Sequence, residues 1–438
     1  MDGETLRDTL EAIVPEADLE ALARELRVIE RDSKRDFMLF VRAMILAAGT
    51  ARGGVQADAM RRYLDLRAPK VTRQAFYRWF DGPLEVFMER LAEKSLLYAQ
   101  SQEMDLPYPF DIARDWHIVD SETVKVRDVL KGEFRGCGNY AALKVHKRFS
   151  VGCGAPVWYH ISDACEHDSK HLDIDASWRD LGLLIDLAYV SLERLARCRD
   201  HGVWLVVRLK ENWKPSVQNI GSGTVTKTFF KGTDFDALIA DGTLVLDGKV
   251  VDMDVVLGRG ATKVPMRLCG VPSPKGYRFY LTNLPLSIGA QHVCDMYRVR
   301  WEIELSNKID KSVHRLDESD AERPCSIMTM VHASLIATVI TSLLAHKHNL
   351  TTRPAVRGAQ RTAAPMHTNL LARAFAMSST GISWAFRLAG DAAVTEWEQL
   401  AIYLTHVGLD PNWKQRPSVL DQMRGWKDQT RTRRVARA

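Results

Sequence analysis

The stretch YRVRWEIELSNKIDK, residues 297–311, sets four chemically matched side chains along one edge if it forms a single helix. At about 100° per residue, Tyr297, Arg300, Glu304 and Lys311 fall inside a stripe about 60° wide. The apolar residues Trp301, Leu305, Ile309, Val313 and Leu316 fall on a neighbouring arc of roughly 40° to 160°, the side such a helix is expected to bury. A phenol, two cations and a carboxylate on one edge suit a site in which Glu304 holds a metal ion and the other three grip phosphates. Local stability is a poor reason for the pattern. Arg300 and Glu304 form an i, i+4 pair worth only about 0.2–0.5 kcal/mol, and the cation stands on the less favourable, N-terminal side.

The spacing is Tyr297, two residues, Arg300, three residues, Glu304, six residues, Lys311. It resembles in full the YREK signature of DDE transposases in the large bacterial family typified by insertion sequence four. That resemblance implies a ribonuclease H-like core in which two aspartates and Glu304 bind divalent metal, two Mg²⁺ ions with Mn²⁺ as a substitute. It also implies partners: double-stranded DNA carrying terminal inverted repeats, a target DNA, and a second copy of the chain in the DNA complex. Tyr297, Arg300 and Lys311 would then contact DNA phosphates, and the protein would work beside the bacterial nucleoid.

Working upstream, short apolar runs replace helical spacing after Trp116. WHIVDS at 116–121, ALKVHKRFSV at 142–151 and PVWYHIS at 156–162 read as strands, with a polar helical segment near 166–180. LGLLIDLAY at 181–189 reads as a fourth strand, followed by a helix at 191–201 and a strand at 203–208. This order predicts a mixed sheet flanked by helices, an α/β class. Asp120 and Asp186 each stand where an apolar run ends, so their carboxylates would emerge at the rim of the sheet. Taken singly, such a residue is more often a turn former or helix cap. Two of them ahead of the YREK helix are the natural catalytic and metal-binding partners of Glu304. Glu122, two residues on and therefore on the same strand face, and Asp163, after another strand, compete with them. The run IVD resembles the family's first acidic motif. Asp186-Leu187-Ala188-Tyr189 with Arg208-Leu209-Lys210 resembles the segment around its second aspartate.

Residues 18–30, 36–49, 55–66, 72–80 and 84–100 carry helical spacing, with breaks at Gly53-Gly54, Pro69 and Gly82-Pro83. In VTRQAFYRWF at 71–80, Arg73, Gln74 and Arg78 alternate with aromatic residues. This is either a helix lying on DNA, with those three as contacts, or a short amphipathic helix whose rings fill a small core. Between Lys210 and Ile288 the alternation is strand-like again, and Asp247-Gly248 is a hairpin signal. The interval from Asp186 to Glu304 is 118 residues against 66 from Asp120 to Asp186, which locates a β-rich insertion inside the core. The resemblance implies that relatives cutting through a DNA hairpin stack a Trp of this insertion on a flipped base; no Trp lies between Trp213 and Trp301 here, leaving Phe279, Tyr280 or Trp301 as stand-ins, each with core packing as its ordinary role.

IMTMVHASLIATVITSLLAHK at 327–347 reads as a buried helix, 351–367 as a linker, and the arginine-rich tail from Arg416 as either a solvated end or a phosphate-binding arm. The expected organisation is a helical DNA-binding region at 1–105, the core at 106–212, the β-rich insertion at 213–288, the rest of the core with the YREK helix at 289–350, and a helical C-terminal region with a basic tail at 351–438. A net charge of +5 and 46% apolar residues describe a mildly basic globular chain that can bury a large core. Its seven cysteines contain no CxxC pair and read as reduced structural thiols, while an acidic N-terminus without a signal-like apolar region and the lack of any apolar run near about 18 residues lead to the expectation of a cytoplasmic protein without membrane association. Two other readings fit the same residues: a ribonuclease H-like nuclease that cleaves structured DNA without strand transfer, and a domesticated, non-catalytic DNA-binding protein.

Overall fold

The computed structural model describes residues 1–30, 36–48, 55–65, 69–319, 321–353 and 363–423. The middle of the 351–367 linker and the end of the tail, 424–438, lie outside the described residues. Helices α1 (Gly3–Ile13), α2 (Glu16–Glu25), α3 (Phe37–Ala47), α4 (Val55–Asp65), α5 (Arg73–Tyr77) and α6 (Gly82–Gln100) open the chain. Helix α1 is the one the sequence reading lacks. Its acidic surface residues disguise Leu6, Leu10 and Ile13, all buried at helical spacing. Gly82-Pro83 starts a helix and does not break one. Asp81 accepts from the Leu84 amide at 3.3 Å, and Pro83 sits in the first turn, where its missing N–H costs nothing.

The sheet begins with β1 (Asp115–Lys125), β2 (Ala142–Ser150), β3 (Ala155–Asp163) and β4 (Leu181–Ile185), then α7 (Leu192–Asp200) and β5 (Trp204–Arg208). The helix expected near 166–180 is absent; short 3-10 turns occupy Asp168–His171 and Ala176–Trp178. Leu172 and Ile174 are both buried two residues apart, a spacing no helix can put on one face, and Asp175 turns the chain by accepting from the Ser177 amide at 2.9 Å. The insertion carries β6 (Ser216–Ser222), β7 (Thr224–Val225), β8 (Thr233–Asp234), α8 (Phe235–Ala240), β9 (Leu244–Val245), β10 (Val251–Leu257), β11 (Val264–Ser273) and β12 (Gly276–Thr282). The chain then forms α9 (Ala290–Arg298), α10 (Trp301–Ser312), α11 (Pro324–Thr352), α12 (Thr368–Met377), α13 (Ser379–Ala385), α14 (Gly390–Gly408) and α15 (Val419–Met423).

Strand order in the large sheet is β3-β2-β1-β4-β5-β12-β11-β10-β6-β8. Strands β1, β2 and β3 run antiparallel, while β4 lies parallel to β1 and β5 parallel to β4. This is a mixed sheet, as the order of strands and helices in the sequence predicts. The insertion does not form a separate layer: β12 pairs with β5 and prolongs the same sheet.

One face of β2 and β3 shares a hydrophobic core with the helices. Leu143, Val145 and Val157 join α1, α3 and α6 and the C-terminal α12–α14 around α11. Helix α11 is long and apolar enough to cross a membrane, yet 94% of its most apolar window is buried inside the protein, so it serves as the central core helix. Within it His332 is 1% exposed, and neither ring nitrogen has a hydrogen-bond partner among the described residues. Burial lowers its pKa to about 4. The unfolded chain therefore binds this proton more readily. The associated stability is full above about pH 6.5 and is lost as pH falls toward the folded value, by about 3 kcal/mol at the acid limit. His332→Leu should flatten that part of the Tm-against-pH curve between pH 6.5 and 4, and a curve of unchanged slope would show that the imidazole is not the group responsible.

Candidate active site

Asp120 and Asp186 are brought together by strand register. Val119 of β1 pairs with Ile185 of β4 in parallel alignment, so the residue that follows each member of this last pair is one of the aspartates, and both stand at the same end of the paired segment. Asp120 is not at a strand end, contrary to expectation, because β1 continues to Lys125 against β2. It stands where β4 stops, and the departure of β4 opens the crevice beside it. Asp186 follows the last residue of β4 and precedes a 3-10 turn at Leu187–Tyr189. A ligand in an open α/β sheet sits at such carboxyl ends.

Residues 297–311 do not form one helix. Helix α9 carries Tyr297, α10 begins at Trp301, and Arg300 is the residue before it. The break is a tight turn in which the amides of Val299, Arg300 and Glu302 bond three residues back, to Met296, Tyr297 and Val299, at 2.9–3.1 Å. The turn keeps the residues close. Arg300 lies 5.9 Å from the Tyr297 ring centre and bonds Glu304 Oε1 at 2.5 Å. Lys311, seven residues beyond Glu304, is exposed on the same helix.

The apolar arc expected to bury α10 is also revised. Trp301 is 59% and Leu305 36% exposed, and both line a groove of about 620 Å³ with the C-terminal part of α11 and residues 416–422. The face of α10 turned inward carries Ser306, Asn307 and Asp310 alongside Ile303 and Ile309. Its partner is Lys147 of β2, 2% exposed, which forms ion pairs with both Glu122 and Asp310. Asp310 also accepts from Ser334 at 2.8 Å and Thr338 at 2.9 Å on α11. Burial pushes the Glu122 carboxyl up to about 8. For Asp310, the Lys147 charge overcomes burial and holds its carboxyl far below the ordinary range. Asp310 is thus the partner of Lys147 held more firmly as the anion. Glu122, the competitor of Asp120, is a buried structural group. Asp163, the competitor of Asp186, lies on the edge strand β3 and is held by Arg135, whose Nε is 3.4 Å away. A signal for Lys147 was present in the sequence: Leu143, Val145, Lys147 and Phe149 share one alternation phase, so the lysine occupies an apolar position.

Asn307 joins this cluster to the aspartate, donating from Nδ2 to Asp120 Oδ2 at 3.2 Å. Burial raises the Asp120 pKa, and the negative charges of Asp186 and Glu304 add to the rise, while the Ser121 amide and Arg300 oppose it. Three carboxylates therefore feel one another across the crevice, with Arg300 as their nearby counter-charge. Among the described residues no group of three or more His, Cys, Asp or Glu is gathered tightly enough to hold a metal ion as it stands. The donor chemistry nevertheless fits a hard divalent cation, which takes oxygen ligands and would relieve the repulsion on Asp120. Burial also pushes the Tyr297 phenol up to about 12, Asp186 adding to the rise and Arg300 and Arg208 opposing it. Arg208, at the end of β5, is a cation of this crevice that the helix stripe could not reveal.

Of the other expected residues, Phe279 packs on Phe235 at 4.9 Å and Tyr280 on Tyr297 at 5.1 Å. Phe76, Trp79 and Phe80 are buried among Phe37, Phe40 and Tyr63, so the rings of 71–80 fill a core. Arg73, Gln74 and Arg78 are exposed on the outside of α5 and the turn after it.

Removing Lys147 by Lys147→Met should destabilise the protein by about 3–5 kcal/mol, because it strands a buried carboxylate without its counter-charge. Chemical denaturation measures this, and a loss below about 1 kcal/mol would mean that the cluster does not hold α10 on the sheet.

The sequence profile of the family described as Transposase DDE domain matches residues 115–340, from the first residue of β1 into α11. A cryo-EM structure of a piggyBac transposase synaptic complex with hairpin DNA is similar at a TM-score of 0.48 and 10% identity, covering 94% of this chain and 89% of that one. No curated protein matches the sequence.

Proposed function

Because the chain belongs to the transposase DDE domain family, we propose that it cleaves the ends of a mobile DNA element and joins them to target DNA, with Asp120, Asp186 and Glu304 as the catalytic carboxylates. The observation that carries this reading is the adjacent placement of Asp120 and Asp186 by the β1–β4 register, with α10 fastened over Asp120 through Asn307. The YREK spacing of the insertion-sequence-four type supports the choice of Glu304.

The three carboxylates would hold Mg²⁺, two ions in all, with Mn²⁺ as a substitute. When bound, such ions supply activation of the attacking water or 3′-hydroxyl and stabilisation of the leaving oxygen. Arg300 balances the carboxylate charge through its bond to Glu304 and, as a planar fork, would be available to a phosphate when Glu304 serves as a ligand. Lys311 contributes an exposed point charge further along α10, and Tyr297, with its phenol kept protonated, can donate to a phosphate oxygen. The substrate class is double-stranded DNA with terminal inverted repeats plus a target duplex. A second copy of the chain would hold the opposite end of the element.

Asp120→Ala, Asp186→Ala and Glu304→Ala should each slow Mg²⁺-dependent nicking of a plasmid carrying the gene's flanking repeats by at least about a hundredfold, roughly 2.7 kcal/mol in barrier. Retained nicking in Glu304→Ala would remove the proposed third ligand. Lys311→Ala should leave stability within about 0.5 kcal/mol, as for an exposed residue, yet slow cleavage or strand transfer at least about tenfold. Thermal unfolding and single-turnover cleavage on the same preparation separate the two effects, and an unaltered rate would make Lys311 a solvated surface charge.

A further inference from the structure

We infer that Asn307 is a positioning residue for Asp120, its amide aimed at the carboxylate by buried Lys147; the inference rests on the reading of Asp120 as a ligand in the proposed reaction. Asn307 is 9% exposed and lies one turn beyond Glu304 on the inward face of α10. Its Oδ1 accepts from Lys147 Nζ at 3.3 Å, and its Nδ2 donates to Asp120 Oδ2 at 3.2 Å. A lysine ammonium offers only donors, so the carboxamide must turn its oxygen toward Lys147 and, being planar, its NH₂ toward Asp120. The orientation is thereby imposed from the protein's interior.

The other carboxylate oxygen, Oδ1, accepts from the Ser121 amide at 2.9 Å. Both oxygens of Asp120 are gripped, which fixes the rotation of the group. A carboxylate has about four lone-pair sites, so two hydrogen bonds leave capacity for a cation. The support behind Asn307 is rigid. Lys147 stands directly opposite Asp120 in the β1–β2 register, and Asp310, one turn further along α10, ties the same helix to Ser334 and Thr338 of α11. Burial alone would be served better here by leucine, and a polar residue at this place has a partner on each side that needs it.

The test is Mn²⁺ binding to the full-length, DNA-free protein by isothermal titration, with unfolding temperature and Mg²⁺-dependent plasmid nicking measured alongside. Wild type, Asp120→Ala, Asn307→Leu and the smaller Asn307→Ala are compared. Both Asn307 variants are expected to weaken Mn²⁺ binding about tenfold, in line with loss of a group that orients a metal ligand. They should raise the Mg²⁺ concentration for half-maximal nicking by a similar factor while unfolding within a few degrees of wild type. If wild type and Asp120→Ala bind Mn²⁺ alike, the assignment of Asp120 itself fails. If Asp120→Ala loses binding and both Asn307 variants keep wild-type affinity, only the positioning role is overturned. Failure of both Asn307 variants to fold would make the residue structural and would equally overturn it.

Discussion

The arrangement depends on one buried cation. Lys147 joins β2 to β1 through Glu122 and to α10 through Asp310, and Asp310 in turn is bonded by α11. A charge in the interior is costly unless it is paired, and a pair buried this deeply contributes more to alignment than to net stability. Here the alignment concerns the helix that carries Glu304. Sliding or rotating α10 would separate Asp310 from Lys147 and leave a buried carboxylate without its counter-charge. An apolar contact at the same place would tolerate such a shift far more easily.

From that anchor the crevice follows. The β1–β4 register sets Asp120 beside Asp186, the tight turn at Val299–Arg300 brings Tyr297 and Arg300 back toward them, and Asn307 connects the anchor to Asp120. The sheet does not end at β5. Its continuation through β12 brings Tyr280 against Tyr297, so the insertion supports the site's edge as well as enlarging the sheet. Helices α1 and α6 share a hydrophobic core with α11, the helix that also holds Asp310.

Much of this was legible in the sequence for identifiable reasons. The Tyr297, Arg300, Glu304 and Lys311 tetrad is visible because its residue types are improbable at that spacing, and the strands of the core show because alternation and turn residues are local signals. Asp120 and Asp186 stand out in the sequence at the ends of apolar runs, although β1 continues past Asp120 and the two are brought together by a pairing between distant segments. What stayed hidden is tertiary. Nothing local announces the turn between α9 and α10, since Val299 and Arg300 keep helical backbone angles. The inward face of α10 is polar because its partner is a lysine, and a hydrophobic pattern cannot report a face buried against charge. Trp301 and Leu305 consequently looked like core and are exposed on a groove. Leu172 and Ile174 show the reverse error, where polar neighbours suggested a helix and burial at a spacing of two decided otherwise.

The gathering of Asp120, Asp186 and Glu304 around a cation is tested most directly by a crystal structure of the full chain soaked in Mn²⁺, with the ion located by its anomalous scattering. Density in contact with all three carboxylates, with Glu304 released from Arg300, is the expected result. Mn²⁺ bound instead at the neighbouring imidazoles of His146, His160 and His171, or absent from the Asp120–Asp186 crevice at saturating concentration, would contradict it.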